Sequence, residues 1–278
     1  TTDLIAALTG SQTGSLTTAQ LRALTDGQVA AIETADLAGL KRSQWDAFST
    51  SQVRALSTDQ IASLRKAQLT LLSTTAISSL TTDQIGALSA SRLQSLTTAQ
   101  IAALTTDQLV ALSTDQVAAL RNDQIEDIDA AKFAALTTDQ IGAITASQAA
   151  KITTAQLVAL DSDQIASFSS DGFGALTSRQ IEALTTDQVQ TLGTAQFSAL
   201  TSGQLRGLST DQIGAVTSDQ MAALTSDQVR ALSTTQMHAF TSDQLPSMGT
   251  EMLQALDARQ VAAIAASVDA RMGGRAVA

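Results

Sequence analysis

Residues 97–120 read Thr97-Thr-Ala-Gln-Ile-Ala-Ala-Leu104, Thr105-Thr-Asp-Gln-Leu-Val-Ala-Leu112, Ser113-Thr-Asp-Gln-Val-Ala-Ala-Leu120. Three successive octads share one pattern: Ser or Thr first, Gln fourth, an aliphatic fifth, a small residue seventh and Leu eighth. Working outward in both directions, the same frame holds without insertion or deletion from Thr1 to Met272, giving 34 octads and a tail at 273–278. A fixed short period is the signature of a repeat architecture in which no single unit buries its own apolar face.

The apolar residues keep strict places. Position eight is Leu, Ile, Val, Phe or Met in all 34 octads. Position five is apolar except at Thr13 and Asp269. All six Phe and the one Trp fall at five or eight. Position six is free, holding Arg22, Arg54, Glu126, Glu182, Arg206, Arg230, His238 and Pro246.

A continuous α-helix does not suit this period. Eight residues at about 100° each overshoot two turns by about 80°, so the apolar stripe smears around the cylinder. A strand places positions five and eight on opposite faces, and Ala and Gln are poor strand formers. One short helix per octad fits. A Ser or Thr at position one accepts from the N–H of position four, and the Gln there reaches back to the cap N–H, which is a capping box. The preceding position eight and the following position five form the hydrophobic staple. Asp at position three, as in Asp83, Asp107, Asp115, Asp139 and Asp219, sits near the positive end of the helix dipole. Helices this short are stable only against neighbours. The expected fold is therefore all-α: a solenoid of very short helices, one per octad, forming a single array over residues 1–278. A β-solenoid and longer helices crossing octad boundaries are the alternatives. The central core is assigned to Ile101, Leu104, Leu109, Leu112, Val117 and Leu120. The capping boxes are assigned to Thr97 with Gln100, Thr105 with Gln108 and Ser113 with Gln116.

Gln is absent from position four at Leu4, Asp36, Ala76, Arg92, Lys132, Gly172, Met252 and Val268. Asp36 and Ala76 are 40 residues apart, as are Arg92, Lys132 and Gly172. That spacing suggests either a superhelical turn of five octads or coincidence among few events. Octad two, with Gly10, Thr13 and Gly14, and octad 34 are irregular, as terminal repeats usually are, which predicts a chain near its full extent.

The composition excludes much chemistry. The chain has no Cys, no Tyr and one His, and its net charge is −10. It has no disulfide or thiolate chemistry and lacks most histidine-based sites. The acidic balance argues against a nucleic-acid partner. No apolar run is long enough to span a bilayer, and no signal peptide is visible. Phosphate-loop, nucleophile-elbow and zinc-protease motifs are missing, as are calcium-loop spacings, so no enzyme, metal or cofactor is expected. His238 at position six is expected on the surface. Trp45 and Phe48 would be a sugar platform only if exposed, and their positions assign them to the core. The pairs Lys41-Arg42 and Arg65-Lys66 are expected in solvent. Rows of Ser and Thr could line an ice- or glycan-binding face, but capping accounts for position one.

The T-T-x-Q-[I/V]-x-A-L octads resemble tandem octapeptide regions of large secreted or surface proteins of Gram-negative bacteria, described as adhesin-like or haem-utilisation-like. The resemblance covers all 34 octads and implies an extracellular or cell-surface location. It carries no catalytic residue onto this chain, and the usual axial haem ligands are almost missing. Two functions follow as expectations. One is a structural subunit polymerising with itself into a filament, tube or sheath, since heterologous contacts that do not close make fibres. The other is an adhesin stalk or binding module presenting a solenoid face to a glycan or host protein.

Overall fold

The computed structural model describes residues 1–273, with side chains described to Ser267. The assigned tail at 273–278 beyond Gly273, and the side chains of octad 34 from Val268 onward, fall outside the described residues. The fold is all-α. Helices of four to six residues follow one another, one to an octad, as in Thr98–Ala102, Thr106–Val110 and Thr114–Ala119. The chain divides into two compact units, Thr1–Leu136 and Thr137–Ala278.

The repeat of φ and ψ explains the shape of each step. Position one is extended, with Thr105 at φ −72°, ψ 162°. Position eight is extended as well, with Leu120 at φ −58°, ψ 142°. Two extended residues between helices turn the chain at every octad. Before the turn, the N–H of position eight bonds back three residues, as in Leu112 N to Leu109 O at 3.2 Å. This tightens the helix end and satisfies one orphan carbonyl.

In the first unit helices pack on helices three octads away: Thr82–Gly86 on Thr106–Val110, and Thr98–Ala102 on Asn122–Glu126. The second unit repeats this spacing, with Ser178–Ala183 on Ser202–Gly207 and Thr186–Thr191 on Thr210–Ala215. Side-chain bonds reach one octad further back, so a coil takes between three and four octads. The five-octad turn suggested by the missing glutamines is thereby corrected. Among the described residues helices pack at three octads and the glutamine bonds reach four, because the return distance is set by which octads stack and not by where Gln is lost.

Among the described residues, three segments depart from one regular α-helix per octad. Residues Asp36–Gly39 form a 3-10 turn, and Gly39 meets Gly10 so closely that a Cβ would stand 2.8 Å from the Gly10 carbonyl oxygen. Gly10 and Gly14 are thus a close-packed contact between octads two and five, rather than only the decay of a terminal repeat. Leu245–Ser247 is also a 3-10 turn, because Pro246 has no N–H to give to an i−4 carbonyl. The last helix, Ala258–Gly273, runs through an octad boundary. Octad 34 begins with Ala265 and has Val268 where Gln is usual, so nothing there competes with helix continuation. In that segment the alternative of a longer helix is the one observed.

Positions five and eight face inward. Position five is exposed, however, at Leu253 (45%) and Val261 (50%). A position-five side chain is covered by the coil that follows it, and the described residues hold no such coil beyond these two.

Candidate functional site

The side chains used most systematically are the position-four glutamines, which form a buried polar seam along each unit. The reason is local. A helix whose position five must point inward places position four at the edge of the core, against the preceding coil. A carboxamide can satisfy groups on both sides at once, because it carries an acceptor and two donors.

Gln108 shows the arrangement. Its Oε1 accepts from the Thr105 N–H at 2.8 Å, while its own backbone N–H donates to Thr105 Oγ1 at 3.2 Å. That is the capping box. Its Nε2 then donates to the carbonyls of Ile77 at 2.9 Å and Leu80 at 2.6 Å. Gln100 pairs in the same way with Thr97 and donates to Leu69 and Leu72 at 2.8 and 2.7 Å. Gln116 pairs with Ser113 and donates to Gly86 and Leu88 at 3.0 and 2.7 Å. The second unit repeats the seam, with Gln236 on Leu205 and Leu208 and Gln244 on Ile213 and Val216. The acceptors lie 28 to 31 residues upstream, at positions eight, six or five of the octad four before. Ile101 and Leu104 are fully buried, and Leu109, Leu112, Val117 and Leu120 are all at most 4% exposed.

Capping alone therefore understates the glutamine. Its second role, clamping one coil to the next, was not read from the sequence. Two substitutions carried the signal. Arg92 Nε donates to Leu64 O at 2.9 Å, and Lys132 Nζ to Ala102 O at 2.7 Å. Neither side chain can accept a cap bond, yet both supply a donor to the upstream coil. Position four thus selects a donor. Conversely, Lys41, Arg65, Arg121 and Gly193 stand at position one without a capping oxygen, and each still gives its N–H to the following Gln.

Where neither donor type is present, the coils respond in two ways. At Gly172 they close up: an added Cβ would meet Ser169 Oγ at 3.1 Å and Ile144 O at 3.3 Å. At Ala76 they stay apart, and a cleft of about 240 Å³ opens beside Trp45, Phe48 and Ser73. Another cleft, of about 630 Å³, lies at Met252 and Leu224.

The remaining chemistry is sparse. His238 is exposed and lines a shallow surface cleft with Arg259. Trp45 and Phe48 are 1% and 8% exposed, with ring centroids 5.6 Å apart and planes tilted by 60°. Their packing leaves no open aromatic platform. The basic pairs expected to be solvated do more than that: Arg42 donates to Thr70 O at 2.8 Å and Arg65 to Ala38 O at 3.4 Å. The hydrogen bond from Arg121 holds the Asp123 carboxyl below its usual value, against a smaller desolvation effect of opposite sign. The Arg121–Asp123 and Arg230–Asp227 ion pairs, at 3.0 and 2.7 Å, are exposed and contribute little. Among the described residues, no cluster of His, Cys, Asp or Glu is arranged to hold a metal ion. No helix among them is long and apolar enough to cross a membrane.

No curated protein matches the chain. A family profile described as the ALTTAQ repeat matches five stretches, residues 29–66, 92–122, 173–202, 189–226 and 221–250. Together they cover just over half of the sequence and fall on the helix–turn octads whose glutamines form the seam. The chain belongs to the ALTTAQ repeat family.

Proposed function

We propose that this protein is a structural, non-catalytic subunit that associates with its own copies into a filament, tube or sheath on a bacterial surface. The observation that supports it is the generic character of the coil-to-coil contact. Gln Nε2 donors on one coil pair with position-eight, position-six or position-five carbonyls on the coil before. Because the octads are nearly alike, a coil of one copy fits a coil of another as well as its own neighbour. Gln12 and Gln20, exposed among the described residues, show the cap half of the pairing, each with Oε1 accepting from its cap N–H at 2.8 Å. A donor edge meeting a carbonyl edge is a heterologous contact, which propagates instead of closing. Location outside the cell and origin in a Gram-negative bacterium rest on the sequence resemblance alone and form part of the same proposal.

The stalk or binding-module reading has less behind it. Every Phe and the Trp is buried, so the described residues offer no aromatic surface for a glycan. The deciding experiment is negative-stain electron microscopy with analytical ultracentrifugation of the purified chain over a range of salt and pH. Filaments, or a ladder of oligomers lost on Gln12→Glu with Gln20→Glu, support the proposal. Monomers under all conditions overturn it.

A further inference from the structure

The cleft at Ala76 is a place where the seam lacks its side chain but keeps the groups that the side chain would serve. By the spacing seen at Gln84, Gln100 and Gln108, a glutamine at 76 would accept from the Ser73 N–H and donate to the carbonyls of Phe48 and Trp45. Alanine does neither. Only the other half of the cap remains, with Ala76 N donating to Ser73 Oγ at 3.1 Å. Ser73, Phe48 and Trp45 all line the cleft, together with Val53 and Ser79. The coils do not close over the gap as they do at Gly172, and no cation fills it as at Arg92 and Lys132. Independently of the seam, Trp45 is 1% exposed and its indole N–H has no hydrogen-bond partner.

We propose that this cleft binds small primary carboxamides with a short apolar stem. The carboxamide takes the place of the missing glutamine head group, its oxygen accepting from the Ser73 N–H and its NH2 donating to the Phe48 carbonyl. The stem lies along the cleft wall formed by Ala76, Ser79 and the edge of Phe48. At about 240 Å³ the cleft exceeds the share of one water, roughly 30 Å³, several-fold, so it holds more than a bridging solvent molecule. Acids are disfavoured, because a carboxylate brings no donor to the Phe48 carbonyl. Ketones fail on the same half of the site.

The test is an amide-resolved NMR titration of the full chain with butyramide, with 2-pentanone and butyrate as shape-matched controls. The expected result is saturable shifting of the Ser73 amide and the Trp45 indole signals by butyramide. The dissociation constant should be in the millimolar range that so small a ligand permits. The controls should bind at least several-fold more weakly. Ala76→Gln fills the cleft with the side chain used elsewhere in the seam, so it should raise the melting temperature and abolish the butyramide shifts. Equal response to 2-pentanone, linear non-saturating shifts, or binding that survives in Ala76→Gln overturns the proposal. Neither filament formation nor its absence bears on this result.

Discussion

Replacing Gln108 separates capping from clamping. If the side chain only capped its helix, Gln108→Ala would cost about 1 kcal/mol, the same as Thr105→Ala. The structure asks for more. Gln108 is 2% exposed, and its Nε2 serves two upstream carbonyls, those of Ile77 and Leu80. A buried acceptor left without a donor costs about 1–3 kcal/mol when water cannot reach it. The natural gap at Ala76 is open to solvent, so truncation admits water and the lower end of that range applies. Ile77 O keeps the Leu80 N–H at 3.2 Å, so the loss falls on Leu80 O, and the total is about 2 kcal/mol for Gln108→Ala, against about 1 kcal/mol for Thr105→Ala. Gln108→Glu sharpens the comparison. Glu serves a capping box as well as Gln does, but its carboxylate offers no proton to Ile77 and Leu80 and repels both oxygens. It should therefore be at least as destabilising as Ala near neutral pH. Gln108→Lys should recover part of the loss, following Lys132. Because long repeat arrays lose two-state behaviour, urea melts monitored by circular dichroism need to be paired with amide hydrogen exchange in residues 77–112. Equal losses for Thr105→Ala and Gln108→Ala, or a Gln108→Glu protein as stable as the parent, would refute the clamp.

Leu112→Asp places a charge at a core position that is 4% exposed, so protection should be lost in the flanking octads as well as its own; unchanged exchange there argues against the core assignment. Deleting residues 113–120 keeps every Gln opposite a position-eight carbonyl of equivalent type, whereas deleting 113–116 does not. The first deletion should melt cooperatively near the parent temperature and the second should not, which differential scanning calorimetry resolves. Arg121→Ala removes the hydrogen bond that lowers the Asp123 pKa, so that carboxyl should titrate at higher pH by NMR; an unmoved titration contradicts the pairing. In the parent, a depressed carboxylate pKa stabilises the fold above its unfolded value, and that contribution fades as pH falls through the folded value.

The sequence by itself determined the regular pattern within one octad. The period, the Ser/Thr–Gln capping box and the inward places of positions five and eight are local, spanning at most eight residues. They were legible at Thr105, Gln108, Leu109 and Leu112 from hydrogen-bonding rules and helix geometry. The continuous helix at Ala258–Gly273 was not, because octad 34 read only as an irregular repeat. What the sequence left open is whatever depends on which octads meet. A repeat of eight fixes the shape of one step but not how many steps close a coil. That number depends on contacts between octads far apart in sequence, a tertiary quantity. The return of the chain between three and four octads later gives the glutamine its second set of partners, 28 to 31 residues away. It also decides that losing a donor closes the coils at Gly172 and opens a cleft at Ala76. In sequence both are only a missing Gln. In the folded chain the upstream carbonyl of Ile144 comes within 3.3 Å of where a Cβ at 172 would stand, which only glycine leaves free, whereas residue 76 faces a cleft lined by Trp45 and Phe48.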